Sequence, residues 1–289
     1  MSMQNPAAKR ILVTGGNSGL GLATAGQLAR LGHRVTISSR DPERAAAAQA
    51  AIKQHYGASV DSVDLDLADF DSIRACAATL RRRGESLDVL VNNAGLSLSD
   101  RRETRQGFEY VLGVNTLGTQ MLTQLLLDGV MRGERKRIVM VSSAAHVGAR
   151  KGMDWDDLQR QHRYSGQAYC QAKLALIYYS RELARRYCDQ GVEAFAVNPG
   201  FVTTRHGLDG DTRGIAHLFF RLGKLWMQSA DQGAEISVWA ATDPALAEHS
   251  GAYLKNMAVA DPSPRAQDDA AAARWWDLSH QWIAQGHPG

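Results

Sequence analysis

Short apolar, β-branched runs alternate with longer helical patterns from one end of the chain to the other. The pattern predicts strands at 10–15 (RILVTG), 33–39 (HRVTISS), 59–66 (SVDSVDLD), 87–93 (LDVLVNN), 137–143 (RIVMVSS), 192–198 (VEAFAVN) and 251–256 (GAYLKN). Helices are predicted near 19–31, 42–56, 69–83, 104–131, 166–190 and 230–242, and the Ala-rich pieces at 45–51 and 270–273 read as helix surface. Continuously apolar strands separated by helices imply a parallel sheet buried on both faces, with right-handed crossovers. No linker or shift in composition divides the 289 residues, so the reading is one doubly wound α/β domain over 1–289 with a mostly parallel, seven-stranded sheet. Two stretches break the alternation, a connection over 144–165 and a substrate lid over 201–229. Ligands of such sheets bind beyond the carboxyl ends of the strands, where long connections shape the pocket.

Composition narrows the function classes. A formal charge of +3 from 33 basic and 30 acidic side chains gives no nucleic-acid address, and the runs RRR (81–83) and RKR (135–137) read as solvated faces. Cys76, Cys170 and Cys188 form no C-x-x-C and the nine histidines no H-E-x-x-H, which argues against a disulfide framework or a metal site. The start MSMQNPAAKR has no apolar core of a leader, and no run approaches the length of a membrane span. The expectation is a cytoplasmic protein with a small-molecule substrate and no membrane anchor.

Strand one runs into TGGNSGLG, Thr14 to Gly21, and then into a helix. In that run Gly15, Gly19 and Gly21 permit a tight turn, close approach of a pyrophosphate and tight helix packing, with Asn17, Ser18 and Leu20 between them. Strand two ends in Ser39 and Arg40, where a guanidinium beside a hydroxyl suits a 2′-phosphate; this favours NADP(H) over NAD(H). The alternative is that Arg40 only caps a surface loop beside Asp41. In GQAYCQAK (166–173), Tyr169 and Lys173 share one helix face, with Cys170, Gln171 and Ala172 read as spacers.

Taken in order, TGGNSGLG, Asp66-Leu67, NNAG (92–95), GVN ending at Asn115, VSS ending at Ser143, YCQAK and NPG (198–200) resemble the classical short-chain dehydrogenase/reductase family across nearly the whole chain. GFEYVLGVNTLG, RIVMVSSAAH and AYCQAKLA look like the retinol-dehydrogenase-like and WW-domain-oxidoreductase-like members. The resemblance implies a Rossmann-type fold and a catalytic set of Asn115, Ser143, Tyr169 and Lys173. Tyr169 is then the acid or base, Lys173 lowers its pKa and binds the nicotinamide ribose, Ser143 holds the substrate oxygen, and Asn115 holds a water of the proton path.

It also implies that Asp66 and Leu67 meet the adenine, Asn93, Ala94 and Gly95 the ribose, and Pro199, Gly200, Val202 and Thr203 the nicotinamide end. Asp66 as a helix N-cap and Ser142 in place of Ser143 stay open. Ser143 and Tyr169 are 26 residues apart, about twice the commonest family spacing, and GMDWDDLQRQHRYSG supplies the excess. Leu96, His146, Trp155, Tyr164, Phe201, His206, Phe219 and Trp226 lie above the strand ends, either as an apolar substrate box or as core and subunit contact. The activity implied is hydride transfer to or from a fairly large hydrophobic carbonyl or alcohol. The alternatives are epimerisation, reduction of a conjugated double bond, or nucleotide sensing without turnover. The faces of the 104–131 and 166–190 helices are those the family uses for a four-helix contact in a homodimer or homotetramer.

Overall fold

The computed structural model describes residues 8–84, 86–201 and 228–288. Its strands are β1 (Arg10–Val13), β2 (Arg34–Ser39), β3 (Asp61–Asp64), β4 (Val89–Asn92), β5 (Arg137–Val141), β6 (Glu193–Asn198), β7 (Tyr253–Lys255) and β8 (Ala258–Ala260). They form one sheet in the order β3-β2-β1-β4-β5-β6-β7-β8, parallel except for β8. The chain reverses direction across the sheet between β1 and β4, and this switch point opens the ligand crevice.

Side chains alternate across the sheet. Leu12, Leu90, Ile138 and Met140 feed one core, whereas Ile11, Val13, Val91, Val139 and Val141 feed the other. The second core is roofed by α1 (Gly19–Arg30), α2 (Pro42–Tyr56) and the helix Ala230–Thr242, here α7. The first is roofed by α3 (Phe70–Arg82), α5 (Thr119–Met131), α6 (Gln167–Tyr187) and a helix Asp269–Gln285, here α8. The doubly wound α/β architecture is therefore as the pattern implies.

The structure departs from the sequence reading in four places. An eighth strand follows β7 through a turn at Asn256 and Met257, both at positive φ (52° and 56°), the backbone of a tight hairpin. The helix predicted from 104 begins instead at Tyr110 (α4, Tyr110–Leu112), because Gly107 sits at φ 81° and the Glu109 carboxylate caps the backbone N–H groups of Val111 and Leu112. Asp66 is not the N-cap of α3. Asp69 is, accepting from Asp71 N, while Asp66 accepts from Ala68 N.

The fourth departure is α8. It places Trp275, Trp276, Trp282 and Ile283 against the first core, with Trp276 stacked on Tyr179 of α6 at 5.0 Å and Trp282 beside Phe108 at 5.9 Å. The Tyr179 face of α6 is thus covered by the chain itself. The 202–227 part of the expected lid, with His206, Phe219 and Trp226, lies outside the described residues. No described helix is long and apolar enough to cross a membrane.

Candidate active site

The glycine turn is built by packing. Gly15 and Gly19 have φ of 64° and 51°, a region open to glycine without cost. A Cβ on Gly21 would stand 2.3 Å from the Gly15 carbonyl oxygen, and one on Gly16 would stand 2.5 Å from Ile37 Cγ2. Gly16 is therefore as constrained as its neighbours, although the sequence spacing does not mark it. The turn is tied to the end of β4. Thr14 Oγ1 accepts from the backbone of Asn93 and Ala94, each at 3.0 Å, and Asn93 Nδ2 donates to Thr14 O at 2.8 Å. Thr14, Asn93 and Ala94 thus hold one another, and Leu20 is buried in the core.

At Ser18 the helix α1 opens without a side-chain cap and without an acidic residue in its first turn, leaving N–H groups for an anion. Arg40 is exposed at the end of β2. Asp41 beside it is committed as the N-cap of α2, accepting from Glu43 N at 2.9 Å and Arg44 N at 3.2 Å. Ser39 is buried, its hydroxyl donating to Asp41 O at 2.9 Å. Leu67 is buried in the core beneath Gly118 and offers no open face to a ring. The glycine turn and the uncapped start of α1 fit the pyrophosphate of a dinucleotide.

Across the crevice, the strand end at Ser142-Ser143 divides its hydroxyls. Ser142 Oγ donates to Lys173 O at 2.7 Å, docking α6 on the sheet. Ser143 Oγ accepts from Ala145 N at 3.1 Å and hydrogen-bonds the Tyr169 phenol. Burial raises the Tyr169 pKa and the Ser143 hydroxyl opposes it. Lys173 stands by the same ring. Its Nζ lies 5.6 Å from the centre of the Tyr169 ring and donates to Val141 O at 2.8 Å, and burial lowers its own pKa to about 8.

Asn115 sits in a π-helical segment, Gly113–Gly118, that interrupts the run from α4 into α5. Its Oδ1 accepts from Leu96 N and its Nδ2 donates to Leu96 O, both at 2.8 Å, so each end of the buried amide has a partner. A Cβ on Gly95 would stand 3.3 Å from both Asn115 Oδ1 and Lys173 Nζ, which places the two around one narrow slot. Asn115, Ser143, Tyr169 and Lys173 therefore converge. Gly200, at φ 80°, follows β6 with its N–H on Asn198 Oδ1, and Pro199 is half-buried beside it. Val202 and Thr203 lie outside the described residues.

Of the expected substrate box, Leu96 and Tyr164 join Tyr169 on a small apolar nest of Val111, Ala168 and Ala172. His146 does not line it. His146 is buried, with Nδ1 on Ser143 O at 2.7 Å and Nε2 accepting from Ser263 N at 3.1 Å, and burial lowers its pKa. Trp155 lies under Arg274 of α8, and Phe201 is exposed. A cleft of about 410 Å³ among Arg10, Arg34, Arg81 and Arg132 opens at the amino ends of the strands and includes none of these groups.

A hydroxyl, a phenol and a buried amine gathered beside a dinucleotide-type turn define the short-chain oxidoreductases as a class. The chain belongs to that family: the short chain dehydrogenase profile matches residues 9–209. It is 38% identical to human retinol dehydrogenase 13 over 286 residues, covering 97% of this chain and 86% of that protein. Human retinol dehydrogenase 12 is 38% identical over 277 residues, covering 94% and 85%. Among solved structures, an uncharacterised protein from Mycobacterium paratuberculosis superposes with a TM-score of 0.74 at 32% identity, covering 96% of this chain and 93% of that one. A short-chain dehydrogenase from Sphingobium yanoikuyae, solved with NADPH, shares the fold with a TM-score of 0.62 at 22% identity, covering 80% and 83%.

Proposed function

We propose that this chain, folded as one domain over 1–289, is an NADP(H)-dependent oxidoreductase of the cytoplasm. It interconverts a fairly large hydrophobic ketone or aldehyde and its alcohol. The observation that carries the reading is the hydrogen-bonded Ser143–Tyr169 pair, with Lys173 Nζ and Asn115 Oδ1 at the Gly95 slot. The turn from Gly15 to Gly21, the amino end of α1 and Arg40 would hold NADP(H), which supplies or accepts the hydride.

The chain's own residues handle the proton. In reduction, Tyr169 Oη–H gives its proton to the developing alkoxide, and Ser143 Oγ–H donates to the same oxygen. A phenol holds its proton at neutral pH, so Tyr169 has one to give in reduction and must be deprotonated to act as the base in oxidation. Lys173 stands beside the phenol with N–H groups left over from its single bond to Val141 O. The Asn115 side chain makes one bond at each end to Leu96, which fixes the amide beside the Lys173 ammonium. The substrate's apolar body would rest against Leu96, Leu98 and Tyr164. The retinol dehydrogenases among its relatives make retinoid-sized alcohols and aldehydes the first substrates to try.

The test is turnover of aliphatic, aromatic, steroid and retinoid carbonyls with NADPH and with NADH. Tyr169→Phe should lower kcat by roughly 10²- to 10⁴-fold while NADPH binding, followed by fluorescence, is retained. Turnover that survives this substitution would remove Tyr169 from the proton transfer.

A further inference from the structure

The connection after Ser143 is fastened to the catalytic helix by a side chain that lies between the tyrosine and the lysine. Gln171 is two residues from each, which turns it about 160° around α6 from both. It therefore points away from the reacting groups and into the connection. Its Nε2 donates to Gly152 O at 2.8 Å, and its Oε1 accepts from Asp154 N at 3.2 Å and from the Arg160 guanidinium. Arg160 also donates to Asp154 Oδ2 at 2.9 Å. Gln171 and Arg160 are both buried, and a buried guanidinium is tolerated only where such partners meet it. The Arg160 backbone lies at φ 53°, a conformation a non-glycine residue holds only when its surroundings fix it.

Both flanks of Arg160 lead to the substrate side. Gln159 accepts from Glu109 N through Oε1 at 2.8 Å, and its carbonyl accepts from Arg101 Nε at 2.9 Å. Tyr164 turns its hydroxyl onto Glu109 and Leu98 O, and lays its ring on the nest of Val111, Ala168 and Ala172 that also seats Tyr169.

We propose that Gln171 is a positioning residue that sets substrate size. Through Arg160 it fixes Tyr164 as the wall beside Tyr169, so bulky apolar carbonyls are held against a rigid ring. It touches neither the cofactor site nor the proton transfer. The proposal rests on the carbonyl reading above.

The experiment compares wild type, Gln171→Leu and Gln171→Glu on aldehydes of increasing bulk with NADPH. In Gln171→Leu, KM for the bulkiest aldehydes rises at least about tenfold and KM for the smallest changes by less than about twofold. The KM for NADPH and the pH profile of kcat stay as in wild type. Gln171→Glu keeps the acceptor for Arg160 and Asp154 N but loses the donor to Gly152 O, so its KM for the bulkiest aldehydes rises less than in Gln171→Leu and its KM for NADPH stays as in wild type. Equal losses for small and bulky aldehydes, a shifted pH profile, or unchanged KM values in a folded Gln171→Leu would each overturn the proposal. If Gln171→Leu does not fold, Arg160→Lys carries the same comparison with the same expected outcomes. Should the wild type reduce no carbonyl, trypsin decides the positioning separately. Cleavage after the exposed Lys151 or Arg163 is about tenfold faster in the Leu variant if the fastening is real and unchanged if it is not.

Discussion

Lys173→Met should make this protein more stable and inactive, and the stability gain should fade as pH rises. Lys173 is 4% exposed, and burial takes its pKa from 10.5 to about 8. That depression corresponds to roughly 3 kcal/mol borne by the folded state wherever the amine is charged in both states. Below about pH 8 both folded and unfolded chains carry the proton, so the cost is present in full. Between about 8 and 10.5 the unfolded chain holds the extra proton, and stability rises with pH until the cost is gone.

Methionine keeps much of the volume and removes the charge, but loses the bond to Val141 O, worth about 1 kcal/mol. The net expectation is a gain of about 1–2 kcal/mol at pH 7, falling by about 2–3 kcal/mol on going to pH 10. Urea denaturation of both proteins at the two pH values, followed by circular dichroism, measures the difference directly. A variant less stable than wild type at pH 7, or a difference that does not move with pH, would refute the claim that burial of this ammonium is an uncompensated cost.

Arg40→Ala should raise KM for NADPH by about 10- to 100-fold and leave NADH within about twofold, as read from initial rates with each cofactor. Equal effects on the two would remove the 2′-phosphate assignment. Trp276→Ala should cost about 3–5 kcal/mol in chemical denaturation, because the ring is stacked on Tyr179, lies under the Arg186 guanidinium at 4.8 Å and is only 7% exposed. A cost below about 1 kcal/mol would mean that α8 adds little to the first core.

What the sequence made legible was local. The glycine turn, the Tyr169–Lys173 spacing and the apolar strands are signals contained within a few residues. The preference for Ser143 over Ser142 rests on the family resemblance, and in the structure the Ser142 hydroxyl is spent on Lys173 O. What escaped depends on partners far along the chain. Gly16 is constrained by Ile37, and Gln171 reads as a spacer until Gly152, Asp154 and Arg160 fold against it. The three-residue β8 is too short to show a period. By contrast, Ala272, Trp275, Trp276, Ser279, Trp282 and Ile283 carry a helical spacing, so α8 was within reach of the same reasoning that places the other helices.

α8 also bears on how the chain reaches its native state. It packs on a helix made roughly a hundred residues earlier, and its Arg274 lies 4.2 Å over Trp155 in the connection that shapes the substrate side. During synthesis the Tyr179 face of α6 therefore stays uncovered until residues 269–285 emerge, long after the β1–β6 sheet can assemble. The catalytic helix is thus complete as an element early but sealed late. Over that interval the Tyr179 face of α6 is an uncovered apolar surface, the kind on which partly folded chains associate.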